Sequence, residues 1–132
     1  MADDPCPCGG AEPFERCCGR FLGGEAIPET AEALMRSRYT AYVRQDIGYL
    51  KRTLWPKYQD GFDELETARW AAESHWTGLK ILKTEQGGKG DRDGTVLFEA
   101  GYLSGGTLRA HRELSRFRKK AGRWYYVEAV PE

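Results

Sequence analysis

Residues 95–130 read TVLFEAGYLSGGTLRAHRELSRFRKKAGRWYYVEAV, and the punctuation of this stretch decides the fold. Three runs carrying Val, Leu, Phe, Thr, Trp and Tyr are separated by SGG at 104–106 and AGR at 121–123. Strand-forming runs joined by such short turns pair antiparallel, because a parallel pair needs a long crossover. Upstream, WTGLKILKTE at 76–85 alternates around Leu79 and Ile81, and GGKGDRDG at 87–94 has the composition of a hairpin loop. That glycine-rich loop lies between strands and opens no helix, so it reads as a turn and not as a phosphate cradle. The second half of the chain predicts a meander of about four strands.

Ahead of the sheet the period is helical. Ala31, Leu34, Met35, Tyr39, Tyr42 and Val43 recur at spacings of three and four, which predicts an amphipathic helix of about 14 residues. Thr30 is its expected N-cap, with Pro28 and Glu29 at the entry. Asp46 caps a second, short helix with Ile47, Leu50 and Leu54 on one face, and Trp55-Pro56 stops it. A third stretch, 62–74, has Leu65, Ala68 and Ala72 as its apolar line and His75 at its end. FLGGEAIPET at 21–30 reads as a linker. Helices first and strands after give an α+β domain, whose sheet must bury one face beneath the helices. If the sheet curls, it makes a cone with a pocket at the open end.

Composition bounds the function. At 132 residues, with four Trp, seven Tyr and five Phe, the chain fills one core. Twenty basic residues balance twenty acidic ones, so there is no general attraction to nucleic acid or to an anionic membrane. No apolar run approaches the roughly 20 residues that span a bilayer. The opening MADDPCPC is acidic and lacks an apolar core, unlike a secretory signal. The expected compartment is the cytoplasm, where thiols stay reduced.

All four cysteines fall in CPCGGAEPFERCC, residues 6–18. A disulfide staple, four unconnected buried thiols and an iron–sulfur site are each conceivable. A reducing compartment argues against the first, clustering in a polar loop against the second, and spacing against the third. Two short-spaced pairs wrapped around a loop suit a zinc ion in a tetrahedron of four thiolates, held by Cys6, Cys8, Cys17 and Cys18. Gly9 and Gly10 permit the turn, and their amides are placed to donate to sulfur. Arg16 and Arg20 stand ready to offset the charge. A closed set of four cysteines has no open position, so the ion holds the loop together in place of a core.

CPCGGAEPFERCCG resembles the SEC-C motif, the small zinc-binding segment found on the bacterial translocation motor SecA and elsewhere. CPCG, the spacing to CC, Gly19 and the aromatic Phe14 carry the resemblance. Gly10-Ala11-Glu12-Pro13 stands where the motif commonly has Ser-Gly-Lys-Lys. TAEALMRSRYTAYVRQDIGYL, Trp55-Pro56, Trp76 with Gly78 and Leu79, Glu113 with Ser115, Arg116 and Phe117, then Gly122 with Trp124-Tyr125-Tyr126, are similar in order to the YchJ-like proteins. The resemblance implies a cone of the nuclear transport factor 2-like class. It divides the chain into a zinc-binding motif at 1–24 and the cone domain at 25–132. Longer members add a second SEC-C motif, so the likeness is to the single-motif form.

Candidate chemistry in the cone is sparse. By alternation His111, Glu113, Ser115 and Phe117 share one face of their strand, and Leu108, Ala110, Arg112, Leu114 and Arg116 the other. Both faces are mixed, so the pattern leaves the inward one open. His111 and Glu113 have the makings of an acid–base pair, though neighbours on a strand are commonly just solvated. Arg36 or Arg38 of the first long helix is placed to turn inward and meet Glu113, as a latch or an anion site; paired burial favours the latch. No nucleotide, metalloprotease or serine-hydrolase signature is present. The expected function is a zinc-stabilised, non-enzymatic interaction protein that docks a macromolecule through the cysteine loop. Phe14, mid-loop, either faces that partner or folds back onto the cone. A small-molecule binder or enzyme using the cone, with Arg36, Arg38, His111 and Glu113 as its pocket, is the alternative. RNA or ribosome binding through the loop is weaker, because Glu12 and Glu15 balance Arg16 and Arg20.

Overall fold

The computed structural model describes residues 4–132. Residues 1–3, the start of the expected 1–24 segment, lie outside the described residues. A 3₁₀ turn at Phe14–Arg16 leads into α1 (Cys18–Leu22). Then come α2 (Ala31–Arg44), α3 (Ile47–Arg52), a 3₁₀ turn at Pro56–Gly61 and α4 (Glu64–Glu73). The strands β1 (His75–Gln86), β2 (Asp93–Ser104), β3 (Thr107–Lys120) and β4 (Arg123–Val130) follow. They form one antiparallel sheet in the order β1-β2-β3-β4.

Side-chain caps fix where α2, α3 and α4 start. Thr30 Oγ1 accepts from the Ala33 amide at 3.0 Å. Asp46 Oδ1 accepts from Tyr49 at 3.1 Å and Asp63 Oδ1 from Glu66 at 2.9 Å. Each satisfies a donor that the first turn leaves unpaired.

Three expectations are corrected. Leu65 and Ala72 are exposed, Leu65 at 81%. α4 instead turns Ala71 and Ala68 inward and gives Trp70 to an aromatic cluster. His75 opens β1. The start of the expected linker is helical, and Phe21 of α1 is buried with Ala41, Tyr49 and Leu50. A local pattern cannot show this, since its packing partners lie some twenty or more residues away.

α2 lies across the sheet. Its Ala31, Leu34, Met35 and Tyr39 pack on Val96, Phe98 and Ala100 of β2, Phe117 of β3 and Trp124 of β4. Breaks in register at Trp76/Gly78, Ile81/Lys83 and Arg116/Phe117 curl the sheet around the helix. The start of α2 is tied to two hairpins: the Ala31 amide donates to Gly87 O at 2.9 Å, and Trp124 Nε1 donates to Glu29 O at 3.1 Å. Gly87 and Gly94 touch backbone to backbone there. A Cβ on Gly94 would lie 2.4 Å from Gly87 Cα. The segment after α3 runs beside β4, with Trp55 N donating to Tyr126 O at 2.8 Å and Tyr126 N to Thr53 O at 2.9 Å. It covers an edge that would otherwise invite pairing. At the mouth, Trp70 meets Trp76 edge-on at 5.0 Å and Tyr42 at 5.5 Å, and Tyr102 meets Trp76 at 5.6 Å. Among the described residues, no helix is long and apolar enough to cross a membrane.

Candidate metal centre and the polar core of the cone

The cysteine loop is built by short-range hydrogen bonds. The Gly9 amide donates to Cys6 O at 3.0 Å, with Gly9 at φ +82°, so the turn after Cys8 needs a residue free to go left-handed. That amide bonds to oxygen, not to sulfur as the sequence led us to expect. Phe14 N donates to Asp4 O at 2.9 Å and Pro5 bridges to Pro13, closing the two arms. The 3₁₀ turn then delivers Cys17, whose amide donates to Phe14 O at 3.0 Å, and Cys18 opens α1. Gly10 packs close to the sulfurs: a Cβ would sit a tight 3.2 Å from Cys17 Sγ and 3.4 Å from Cys8 Sγ.

The result brings Cys6, Cys8, Cys17 and Cys18 together. Their Sγ atoms all lie within 4.8 Å of one another, and Cys8 and Cys17 are 3.6 Å apart. Four sulfurs around a metal at ~2.3 Å make a tetrahedron with edges near ~3.8 Å. None of the four is in a disulfide. Cys6, Cys8 and Cys18 are buried and Cys17 is half-buried. Hydrogen bonds from Cys18 and Cys8 hold the Cys6 thiol far below its usual range. Burial, with Cys8 and Cys6 beside it, pushes Cys17 up to about 12. Cys18 is driven up by its bonds to Cys6 and Cys8 and by burial. Thiols must shed their protons to ligate a metal. A dication that displaces those protons lets every sulfur carry charge. The donor set therefore fits a metal ion, whose contribution is to hold the loop in one conformation.

One stripe of α2 grips this loop. Arg36 Nη1 donates to Cys8 O at 2.7 Å, and its Nε pairs with Glu32 at 2.9 Å. Thr40 Oγ1 lies 3.8 Å from Cys6 Sγ. The Arg44 guanidinium stacks 4.1 Å over the Phe14 ring. These residues are four apart, so they share one helix face. Sequence reasoning missed Thr40 and Arg44, although their spacing from Arg36 was available as a signal. Arg36, one of the two arginines expected to turn toward Glu113, instead serves the loop. Phe14 is half-buried under Arg44, the folded-back arrangement. Arg16 pairs with Glu12 at 3.2 Å, and Arg20 Nε donates to Cys17 O at 3.2 Å. Arg52 Nη2 donates to Leu22 O at 2.8 Å and ties down the end of α1.

Inside the cone, His111, Glu113, Ser115 and Phe117 are the inward face of β3, with Ser115 and Phe117 fully buried. Glu113 accepts from Ser115 Oγ at 2.6 Å and Tyr126 Oη at 2.8 Å, and lies 3.0 Å from His111 Nε2. Burial opposes its ionisation, but bonds from His111, Ser115 and Tyr126 outweigh this and hold its pKa low. The bond to Glu113 raises His111 in turn, against burial. Arg38, 7% exposed, donates to Leu50 O at 2.9 Å and Thr53 Oγ1 at 2.6 Å, and lies 4.7 Å over the Tyr126 ring. It satisfies the carbonyl end of α3 and reaches Glu113 only through Tyr126. His111, Glu113 and Arg38 thus gather around one tyrosine, and Arg36 does not join them.

Comparison with known proteins agrees with this layout. Residues 30–129 match the family described as the YchJ middle NTF2-like domain. The chain belongs to the YchJ-like family. YchJ-like relatives include a UPF0225 protein of Geobacter sulfurreducens, 46% identical over 93% of this chain and 76% of the relative. Another, from Streptomyces coelicolor, is 46% identical over 97% of this chain and 96% of the relative. Two solved structures share the fold. A SEC-C motif containing protein of Rhodopseudomonas palustris has a TM-score of 0.88 at 38% identity, covering 96% of this chain and 98% of the other. One from Psychrobacter arcticus has a TM-score of 0.81 at 29% identity, covering 96% and 83%. This YchJ-like chain is therefore a curved NTF2-like domain with a SEC-C-type cysteine cluster at its start.

Proposed function

We propose that this YchJ-like chain is a zinc-stabilised interaction module of the cytoplasm, in which the cone carries the cysteine loop to a protein partner. The carrying observation is the union of two features: a four-sulfur cluster within 4.8 Å, and a single helix stripe, Arg36, Thr40 and Arg44, that fixes it to the cone. Zinc suits four thiolates in a closed tetrahedron and adds no open position for chemistry. A loop ordered before docking loses little entropy on binding. Its outer side carries exposed Glu12, Glu15 and Arg16. Glu113, the buried acid of the cone, is engaged by His111, Ser115 and Tyr126, and Trp70, Trp76, Tyr42 and Tyr102 cluster at the mouth. This favours a carrier over an enzyme. On this reading the chain folds without residues 1–20, keeping a single cooperative thermal transition.

The test is capture from bacterial lysate with the zinc-loaded protein as bait, compared with Glu12→Lys/Glu15→Lys. One or more specific proteins should be retained by the wild type and lost by the variant at equal metal content. Equal capture by both, or none by either, overturns loop docking. Turnover or tight binding of a small molecule that His111→Ala or Glu113→Gln abolishes would favour the cone pocket instead.

A further inference from the structure

We propose that the β3–β4 hairpin end binds single-stranded RNA, through a platform of Trp55 and Tyr125 framed by Arg118, Lys120 and Arg123. The surface uses residues of β3, β4 and the segment after α3, none from the cysteine loop, and it goes beyond the docking role proposed above.

Charge is the first observation. The chain is neutral overall, yet residues 116–123 hold Arg116, Arg118, Lys119, Lys120 and Arg123 and no acid. Arg116 pairs with Glu128 at 3.1 Å and Arg118 weakly with Asp93 at 3.6 Å, while Lys120 and Arg123 make no ion pair among the described residues. The register places exposed Lys120 directly opposite exposed Arg123. Like charges facing across a pair are destabilising. A bound phosphate between them relieves that repulsion.

The second observation is aromatic. Arg118 and Lys120, two apart on one face of β3, both sit over the Trp55 ring, at 5.7 and 5.6 Å. Tyr125, paired with Arg118 across the strands, meets Trp55 edge-on at 6.0 Å. Trp55 and Tyr125 are half-buried; a base that stacks on Trp55 takes the place of the cations over its ring, which then turn to the phosphates on either side. Cations that track a backbone beside rings that stack bases are the working parts of single-strand recognition. An acidic peptide would use the cations and leave the rings idle. A duplex would hide the base faces that the rings need.

The experiment titrates the intact, zinc-loaded protein into a fluorescein-labelled oligoribonucleotide of twelve uridines at low salt, while following intrinsic tryptophan emission with unlabelled RNA. Binding with tryptophan quenching is expected, and a weakening as salt rises. Trp55→Ala should weaken affinity about tenfold and remove most of the quench, on the scale of losing one base–aromatic stack. Because Trp55 also packs against Tyr125 and is hydrogen-bonded to β4 through its backbone, exposed Lys120→Glu is the second variant. It should weaken affinity several-fold, flatten the salt slope and leave thermal stability unchanged or higher. No detectable binding, binding that Lys120→Glu leaves intact, or equal affinity for heparin without quenching each overturns the proposal.

Discussion

Arg36 holds Cys8: its guanidinium donates to the Cys8 carbonyl at 2.7 Å across 28 positions of chain. The carbonyl belongs to a residue whose sulfur is in the four-cysteine cluster, so the arginine fixes the backbone of a candidate ligand from outside. Outer contacts of this kind usually change metal affinity about 10–100-fold when removed. Arg36→Ala should therefore lose metal to a chelator about tenfold faster than the wild type. The readout is the rate of metal transfer to a chromophoric chelator. An unchanged rate would mean the loop is rigid without α2.

How much of this was legible in the sequence follows the reach of each signal. Caps at Thr30 and Asp46, the α2 core line and the strand turns are local patterns, and the structure keeps them. The four cysteines declared a site because their chemistry is unusual at any spacing that short. The Arg36, Thr40, Arg44 grip was hidden, because a polar stripe on a helix normally faces water. α4 deceived for a related reason: its apolar line at Leu65 and Ala72 yields to Trp70, which finds Trp76 and Tyr42 in the mouth of the cone. The inward face of β3 needed α2 in place before His111, Glu113 and Ser115 could be told from their outward neighbours.

Arg38→Ala should destabilise the fold by about 3 kcal/mol, because it leaves buried Leu50 O and Thr53 Oγ1 without their donor and opens space under Tyr126. Urea denaturation measures this. Metal content should stay constant, which separates Arg38 from Arg36.

The His111–Glu113 pair should make stability depend on pH in a definite window. Glu113 has a lowered folded pKa, so its contribution is present above the ordinary value of 4.5 and is lost as pH falls through the folded value. His111 has a raised one, so its contribution is full below the ordinary 6.5 and is lost as pH rises through the folded value. The stability difference between wild type and His111→Ala should peak between those values and shrink on either side. Its size should be about 0.5–1 kcal/mol, since the imidazole is 43% exposed. A difference that is flat from about pH 4.5 to 8 would show the pair to be idle.

Gly94→Ala should cost about 1–3 kcal/mol, because its Cβ would meet the Gly87 backbone at 2.4–2.6 Å and force the two hairpin strands apart. Thermal melts of the variant check this. Gly90→Ala, where a Cβ meets nothing within 4 Å, is the matched control and should be close to neutral.

In the proposed function a zinc ion is held by Cys6, Cys8, Cys17 and Cys18 and clasped to the cone. Its most direct measurement is the metal content of protein purified under reducing, anaerobic conditions, read by elemental analysis beside a thiol titration before and after chelation. The predicted result is about one zinc per chain, with the four thiols unreactive until the metal is removed and the zinc lost in Cys6→Ser and Cys17→Ser. A metal-free protein whose thiols react at once, or are joined as disulfides between the two cysteine pairs, would contradict it.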